Sequence, residues 1–573
     1  MQSTFWKRGA WKLWAAAVLS AGLLELPFPL AGPMPVWRSV FAWFGLVPLL
    51  WAILSPASVD RPRPLRRGFL LGYLCGVLWY MGNCYWVRDV MLHYGDMPPM
   101  APTLLLIGYS MVLGLYFGLF GLGVVLMRRA TGSTRLALAF APFLWAALEL
   151  AASRITSVPW DQLGYSQVDN GIVNQLAPWT GVYGISFVLV GVNALLVSDC
   201  LVPWKWVTPG QPRWRLKALF GGETWRIFGY CLVFFLLNGS IYYQPPVPVP
   251  TATTVLIQPN LDVGDDNMWS RPGEWEQHIA EFQRLAGDQC KTYIAGIPQT
   301  GAPTGEIICP PYPTHPDLVV WPESPAPFIE QNARFEQAMT SLARHAQAPL
   351  IVGNLGVDVS VEGGLRYYNS ARIEGADGMR VGRYDKIHLV PFGEYIPYKE
   401  LLFFAHKLTG RVSEFTRGTD RKVFRLPAAN GEAHRYGVFI CYESVFADEV
   451  RQFAQLGAEV LVTISDDGWY GDTSAPWQHL NMARMRAIEN RRWLLRDTNN
   501  GITAVIDPYG RVRQSIPRHQ TDALPAQFGF RSDVTFYTAH GDVFGWLCVL
   551  LSLVVVAWSG RKLLRAWTAT SSA

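Results

Sequence analysis

The sequence predicts an integral membrane bundle of eight helices joined to an extracytoplasmic α/β domain in which helices cover sheets. Three observations predict it. Half of the 573 residues are hydrophobic and only 16% are charged, a low share for a water-soluble chain of this length. Eight apolar stretches are long enough to cross a bilayer. One long polar section, between the seventh and eighth stretches, alternates short β-rich runs with amphipathic ones, the pattern of a layered α/β fold.

The expected spans cover residues 13–30, 36–54, 68–86, 101–127, 136–152, 181–201, 227–243 and 543–558. The first follows Lys7, Arg8 and Lys12, as a secretory signal would, but no small-residue cleavage site follows, so it is read as a retained span. Basic residues fall in alternate loops: Arg61, Arg63, Arg66 and Arg67; Arg128, Arg129 and Arg135; Lys205, Arg213, Arg215 and Lys217; and Arg561, Lys562 and Arg565 after the last span. The positive-inside rule then places both termini in the cytoplasm and the polar section across the membrane, in the periplasm of a bacterium. The net charge of +5 is accounted for by these loops and gives no reason to expect a nucleic-acid partner. Glu149 and Glu25, carboxylates in or near spans, are candidate functional groups because charge in lipid is costly.

Domain limits follow: 1–243 for seven spans, 244–540 for the extracytoplasmic domain, and 541–573 for the last span and a cytoplasmic tail. Within 244–540 the runs 253–258, 318–321, 350–355, 367–373, 438–441, 460–465 and 501–506 read as strands, and 335–346, 446–456 and 477–492 as helices. Residues 290–314, rich in Gly, Pro and Thr, read as an irregular excursion. Cys290 and Cys309 lie within it and could close it as a disulfide, but connectivity cannot be read from sequence. His388, His406, His434 and His479 are scattered without ligand spacing, so neither metal nor cofactor is expected.

The third cysteine of this section, Cys441, ends the apolar run Tyr436-Gly437-Val438-Phe439-Ile440 and precedes a helix-like stretch, whose N-terminus would favour a thiolate. Taken alone it fits a buried packing cysteine. Two other segments bear on it. Val319-Val320-Trp321-Pro322-Glu323 ends an apolar run in a carboxylate, and Tyr384-Asp385-Lys386-Ile387-His388 places a lysine shortly before Glu394. Singly, Glu323 could cap a helix, Lys386 could be a solvated loop lysine and Glu443 could face water. Together, a carboxylate can take a thiol proton while an ammonium stabilises the oxyanion of an attacked carbonyl.

In the order Glu, Lys, Cys, these segments resemble the nitrilase (carbon-nitrogen hydrolase) superfamily, which implies an αββα sandwich. The whole chain resembles the apolipoprotein N-acyltransferase family: the spans, the insert before the last span, and the motifs Pro159-Trp160-Asp161-Gln162-Leu163-Gly164-Tyr165-Ser166-Gln167, Cys441-Tyr442-Glu443, Trp477-Gln478-His479, Met482-Ala483-Arg484-Met485-Arg486-Ala487 and Thr498-Asn499-Asn500-Gly501. The resemblance implies Glu323 as base, Lys386 as oxyanion stabiliser with the Tyr442 backbone N–H, and Cys441 as nucleophile. Glu394, Tyr442, Glu443 and Trp269 match supporting positions. One departure is Asp466, where the family pattern has asparagine; another is a longer excursion at 290–309.

The implied reaction moves an acyl chain from a phospholipid, phosphatidylethanolamine as the expected donor, through a Cys441 thioester to the α-amine of a diacylated apolipoprotein. The implied location is the bacterial inner membrane, and nothing in the span pattern demands more than a monomer. Apolar loops at 401–404 and at Trp469-Tyr470 are candidates to reach the lipid. The alternative is a membrane-tethered C–N hydrolase with water as acceptor. It shares the three residues but needs only one span. A non-enzymatic transporter leaves their convergence unexplained, and the spans lack paired charges.

Overall fold

The computed structural model describes residues 10–95, 97–98, 100–201, 229, 231–232, 243, 245–263, 273–287, 316–323, 328–360, 363–391, 393–395, 415–428 and 430–571. The chain forms two compact units, one of Met1–Tyr85, Thr103–Pro245 and Asp542–Ala573, the other of Trp86–Pro102 and Pro246–Gly541.

In the first unit and its flanks, five helical stretches are long and apolar enough to cross a membrane: Val36–Leu54, Met100–Thr131, Thr134–Ile155, Val182–Leu201 and Val543–Ala566. The other three expected spans differ. Residues 13–30 give the shorter helix Ala10–Glu25, which ends ahead of Pro27, a residue with no N–H for the helical ladder. Of the expected span 68–86, residues 68–83 lie in the helix Pro64–Asn83, whose glycines reduce its apolar content but permit close packing. A Cβ on Gly72 would stand 2.2 Å from the Phe117 carbonyl oxygen. Residues 227–243 lie almost entirely outside the described residues. The stretch Val36–Leu54 is itself broken: 3-10 turns over Val36–Trp43 give way to an α-helix at Val47, with Pro48 in its first turn, where the missing N–H is harmless. The Leu46 N–H freed at the break donates to Asn193 Oδ1 at 2.8 Å. Glu149 accepts from Trp145 Nε1 at 2.9 Å and from the Leu163 N–H at 2.8 Å, tying its helix to the following loop.

The second unit holds twelve strands among its described residues: β1 (Ala252–Gln258), β2 (Leu318–Val320), β3 (Leu350–Val359), β4 (Leu365–Glu374), β5 (Arg380–Asp385), β6 (Val423–Pro427), β7 (Ala433–Ile440), β8 (Val460–Ser465), β9 (Trp493–Thr498), β10 (Thr503–Ile506), β11 (Val512–Ile516) and β12 (Asp522–Phe528). They form two six-stranded sheets, in the orders β12-β1-β2-β3-β4-β5 and β11-β10-β9-β8-β7-β6. Each sheet is parallel at its centre, over β1-β2-β3 and β7-β8-β9, and antiparallel toward its edges.

Alternation along the strands builds the layers. Leu256, Val320, Ile351 and Ile373 of one sheet and Val438, Ile440, Val462 and Leu495 of the other share one buried core. The neighbouring residues Val255, Ile257, Val319 and Val352 turn outward and pack against Phe282 of the helix Glu274–Gly287 and Phe335 and Met339 of the helix Ala333–Ala346. This is helix on sheet on sheet, with Ala447–Gln455 and Ala475–Asn490 as the helices that follow β7 and β8. The strand ends of β2, β7 and β8 carry the polar residues described next.

Candidate active site

Strand β7 is buried from Tyr436 to Ile440, and its last hydrogen-bonded residue hands over to Cys441 at φ +52°, a left-handed conformation that disfavours side chains with a Cβ. The chain then turns through the 3-10 segment Cys441–Val445, and the α-helix starts only at Ala447. The expected helix N-terminus is therefore not at the thiol. Cys441 is buried, and burial and the Glu323 charge push its thiol well above the usual range, against the opposing pull of Lys386. The help that a helix N-terminus would give a thiolate is therefore missing, and the site itself favours the thiol.

Glu443 holds that corner in place. Its Oε2 accepts from the Ile440 N–H at 2.7 Å; its Oε1 accepts from the N–H groups of Ile387 at 2.7 Å and His388 at 3.1 Å. Tyr384 Oη donates to both oxygens, at 2.8 and 2.9 Å. Far from facing water, Glu443 is buried and joins the Cys441 turn to the segment that follows β5. Burial pushes its carboxyl above the usual value, with the backbone N–H groups pulling it back.

That segment begins with Lys386, 1% exposed, whose ammonium lies between two carboxylates: Glu323 Oε1 at 3.1 Å and Glu394 Oε1 at 2.9 Å. Burial alone would lower its pKa; Glu323, Glu394 and Cys441 reverse this and hold it well above the usual value. Glu323, at the end of β2, is not a helix cap; Asn332 performs that task for the helix Ala333–Ala346. Its Oε2 instead accepts from the Asp466 N–H at 2.8 Å. Burial raises the Glu323 carboxyl, but Lys386, Asn369 and the Asp466 N–H outweigh it, and the group stays ionised below the usual range. Glu394 Oε2 accepts from the Val390 N–H at 2.7 Å, closing its loop. Tyr442 is buried with its ring edge-on to Phe446 at 5.2 Å. Trp269, Cys290, Cys309 and the loop 401–404 lie outside the described residues.

Other residues complete the site. Asn369 of β4 donates through Nδ2 to both Glu323 Oε1 and Glu394 Oε1, each at 2.7 Å, so it holds the two carboxylates around Lys386. Nothing in the sequence of an exposed-looking strand segment signals this. Asp467, His479 and Arg496 form a fully buried polar cluster beneath Cys441. Asp466, the departure noted above, is buried, accepts from the Gly468 N–H at 3.0 Å and from Asn499 Nδ2 at 3.2 Å, and is pushed up to about 8 by burial and by Glu323. In the turn Asp467–Tyr470, Trp469 is half exposed and Tyr470 buried. Tyr94 meets Trp469 edge-on at 5.1 Å, and Trp86 meets Tyr470 at 5.4 Å, both rings coming from the helix Trp86–Tyr94.

A thiol at a strained strand end, a buried carboxylate near it and an ammonium fixed between carboxylates suit acyl transfer through a covalent intermediate. Comparison with known proteins agrees. A family profile described as the apolipoprotein N-acyltransferase N-terminal domain matches residues 20–195, and one described as carbon-nitrogen hydrolase matches residues 273–527. An apolipoprotein N-acyltransferase of Geobacter metallireducens is 33% identical over 554 residues, 95% of either chain. One of Pseudomonas aeruginosa is 30% identical over 529 residues, 89% of this chain and 92% of its own. Among solved structures, Saccharomyces cerevisiae Nit3, of the nitrilase superfamily, aligns with a TM-score of 0.33 and 17% identity over 50% of this chain and 93% of that one. With both domain profiles present in order and identity sustained over nearly its full length, the chain belongs to the apolipoprotein N-acyltransferase family.

Proposed function

We propose that this protein transfers an acyl chain from a phospholipid, through a thioester on Cys441, to the α-amine of a diacylglyceryl-cysteine apolipoprotein. The observation that carries the reading is the Lys386 ammonium held between Glu323 and Glu394, buried and within electrostatic reach of the Cys441 thiol. As Sγ attacks the ester carbonyl, Glu323 takes the thiol proton, and Lys386 stabilises the negative oxygen. Collapse breaks the ester C–O bond, the lysophospholipid oxygen takes the proton from Glu323, and the thioester remains. In the second half the α-amine attacks the thioester, Glu323 accepts an amine proton, and the proton returns to Sγ as the C–S bond breaks. Glu394, Asn369 and Glu443 hold the geometry, and Tyr442 is the residue next to the nucleophile.

The setting proposed is the bacterial inner membrane, crossed eight times, with both termini in the cytoplasm, residues 244–540 in the periplasm and a monomer as the working unit. The alternation of basic loops supports this, because Lys and Arg accumulate on the cytoplasmic side. Phosphatidylethanolamine is the proposed donor.

The acceptor is the test. Enzyme loaded with phospholipid is given a diacylated lipopeptide with a free α-amine, or the same peptide N-acetylated. The reading expects a triacylated product with the first only; release of free fatty acid at one rate in both would replace it with the hydrolase reading. For the topology, a cysteine engineered into the section 244–540 should react with an impermeant thiol reagent in intact cells, and protection until lysis would reverse the orientation.

A further inference from the structure

The cluster beneath Cys441 joins three neighbouring strand ends. His479, near the start of the helix Ala475–Asn490, has Nε2 3.0 Å from the Cys441 carbonyl oxygen and Nδ1 3.0 Å from Asp467 Oδ1. Asp467, just beyond β8, also accepts from Ser465 Oγ at 2.8 Å and, through Oδ2, from Arg496 Nη2 of β9 at 2.5 Å. Arg496 Nη2 stands 3.3 Å from His479 Nδ1 as well. All three side chains are fully buried, and the Tyr470 ring closes over the imidazole edge-on at 6.0 Å. The space is tight: a Cβ on Gly501 would come within 2.4 Å of Asp467 Oδ2. Burial would raise the Asp467 carboxyl, but Arg496 outweighs it and holds the group ionised, well below the usual range.

A carbonyl oxygen and an ionised carboxylate can only accept, so Nε2 donates to the Cys441 carbonyl and Nδ1 to Asp467 Oδ1. We infer that His479 is a positioning residue for the acyl-transfer reaction: its Nε2–H, aimed by Asp467 and Arg496, holds the Cys441 carbonyl and with it the left-handed backbone that points Sγ at the substrate. The bond has a second effect on the same peptide unit. Drawing electron density toward the Cys441 carbonyl oxygen makes the Tyr442 N–H of that peptide a stronger donor beside the reacting carbon. A ring that merely filled space would need neither a carboxylate nor a guanidinium behind it, and burying those charges is expensive without a task.

The inference rests on Cys441 being the acylated residue, and the test separates the two. In full-length enzyme in detergent, single-turnover thioester formation from phosphatidylethanolamine is compared for wild type, His479→Gln and His479→Met. Glutamine can donate to the carbonyl; methionine fills similar volume and cannot. The expected result is a rate about 100-fold lower for the Met variant, as a small misplacement of a reacting group produces, with donor KM within about twofold and the Gln variant recovering at least tenfold of the loss. Equal rates in the Gln and Met variants would overturn the positioning role while leaving the thioester reading intact. No thioester in wild type would instead remove the reading beneath it. Should the variants fail to fold, nitrogen-15 NMR of the wild-type imidazole decides: a proton on Nε2 is expected, and an unprotonated Nε2 overturns the inference.

Discussion

The Lys386 ammonium lies 3.1 Å from Glu323 Oε1 in a site where both side chains are buried. A second carboxylate, Glu394, shares the same cation, and Asn369 bridges the two acids. Removing the cation leaves the buried Glu323 and the partly buried Glu394 carboxylates facing each other. Lys386→Met should therefore abolish thioester formation and also destabilise the second unit by roughly 3–5 kcal/mol, the range for breaking a buried ion pair by deleting one partner. Thermal unfolding in detergent checks the stability term. Unchanged melting would mean that Lys386 holds less charge than its geometry implies.

The pair also sets a pH window. Glu323 titrates below its usual 4.5, so its contribution is complete above that value and is lost as pH falls through the folded-state pKa. Lys386 titrates above its usual 10.5, so its contribution is complete below that value and fades only as pH rises through its higher folded-state pKa. Across neutral pH the pair itself should leave stability flat.

Asp466 behaves in the opposite sense. Its folded pKa of about 8 lies above the usual 3.8, so between those values the folded chain keeps a proton that the unfolded chain releases. Stability then falls as pH rises through this window, with a limiting slope of about 1.4 kcal/mol per pH unit. Asp466→Asn keeps an oxygen for Gly468 and Asn499 and removes the titration. Denaturant melts at pH 5 and pH 8 should show the mutant losing this slope, with activity within about threefold of wild type. Retention of the slope in the mutant would assign it to another group.

Glu443 accepts from three backbone N–H groups and from Tyr384. In Glu443→Gln one oxygen becomes an NH2 group that cannot accept, so at least one buried N–H loses its partner at a penalty of about 1–3 kcal/mol. Thioester formation should slow together with the loss of stability, since the same bonds hold Cys441 and Lys386 in register. Normal stability with normal rate would show that the carboxylate is dispensable to the corner.

The neutral Cys441 thiol makes a prediction for the free enzyme. Burial and Glu323 raise its pKa, so alkylation by iodoacetamide should be slow at pH 7 and should still be rising with pH above 9. A rate already level at pH 6 to 7 would signify a stored thiolate and a different division of labour between Glu323 and Lys386.

What was legible in the sequence follows burial. Strand β8, Val460–Ser465, is buried at every residue and matches the run read as a strand, because an apolar β-branched stretch has few alternatives. Strand β9 was missed because Arg496 and Asp497 stand inside it; both are buried, and the partner that stabilises Arg496, Asp467, comes from a different strand end. Strand β12 was missed for a similar reason, with Pro525 in a run that nonetheless pairs along β1. At the site, Glu323, Lys386 and Cys441 stood out because each ends an apolar or strand-like run. Asn369 did not, since a single amide in a strand acquires meaning only from residues far away in the chain, and His479 entered only within the motif Trp477-Gln478-His479, with no role attached.

Cys441 is expected to carry the acyl group. Purified enzyme incubated with phosphatidylethanolamine and digested should yield a Cys441 peptide whose mass is increased by one acyl chain, an adduct that hydroxylamine removes and that Cys441→Ala lacks. An unmodified Cys441 peptide under turnover conditions, or the same adduct in Cys441→Ala, would rule out Cys441 as the acyl carrier.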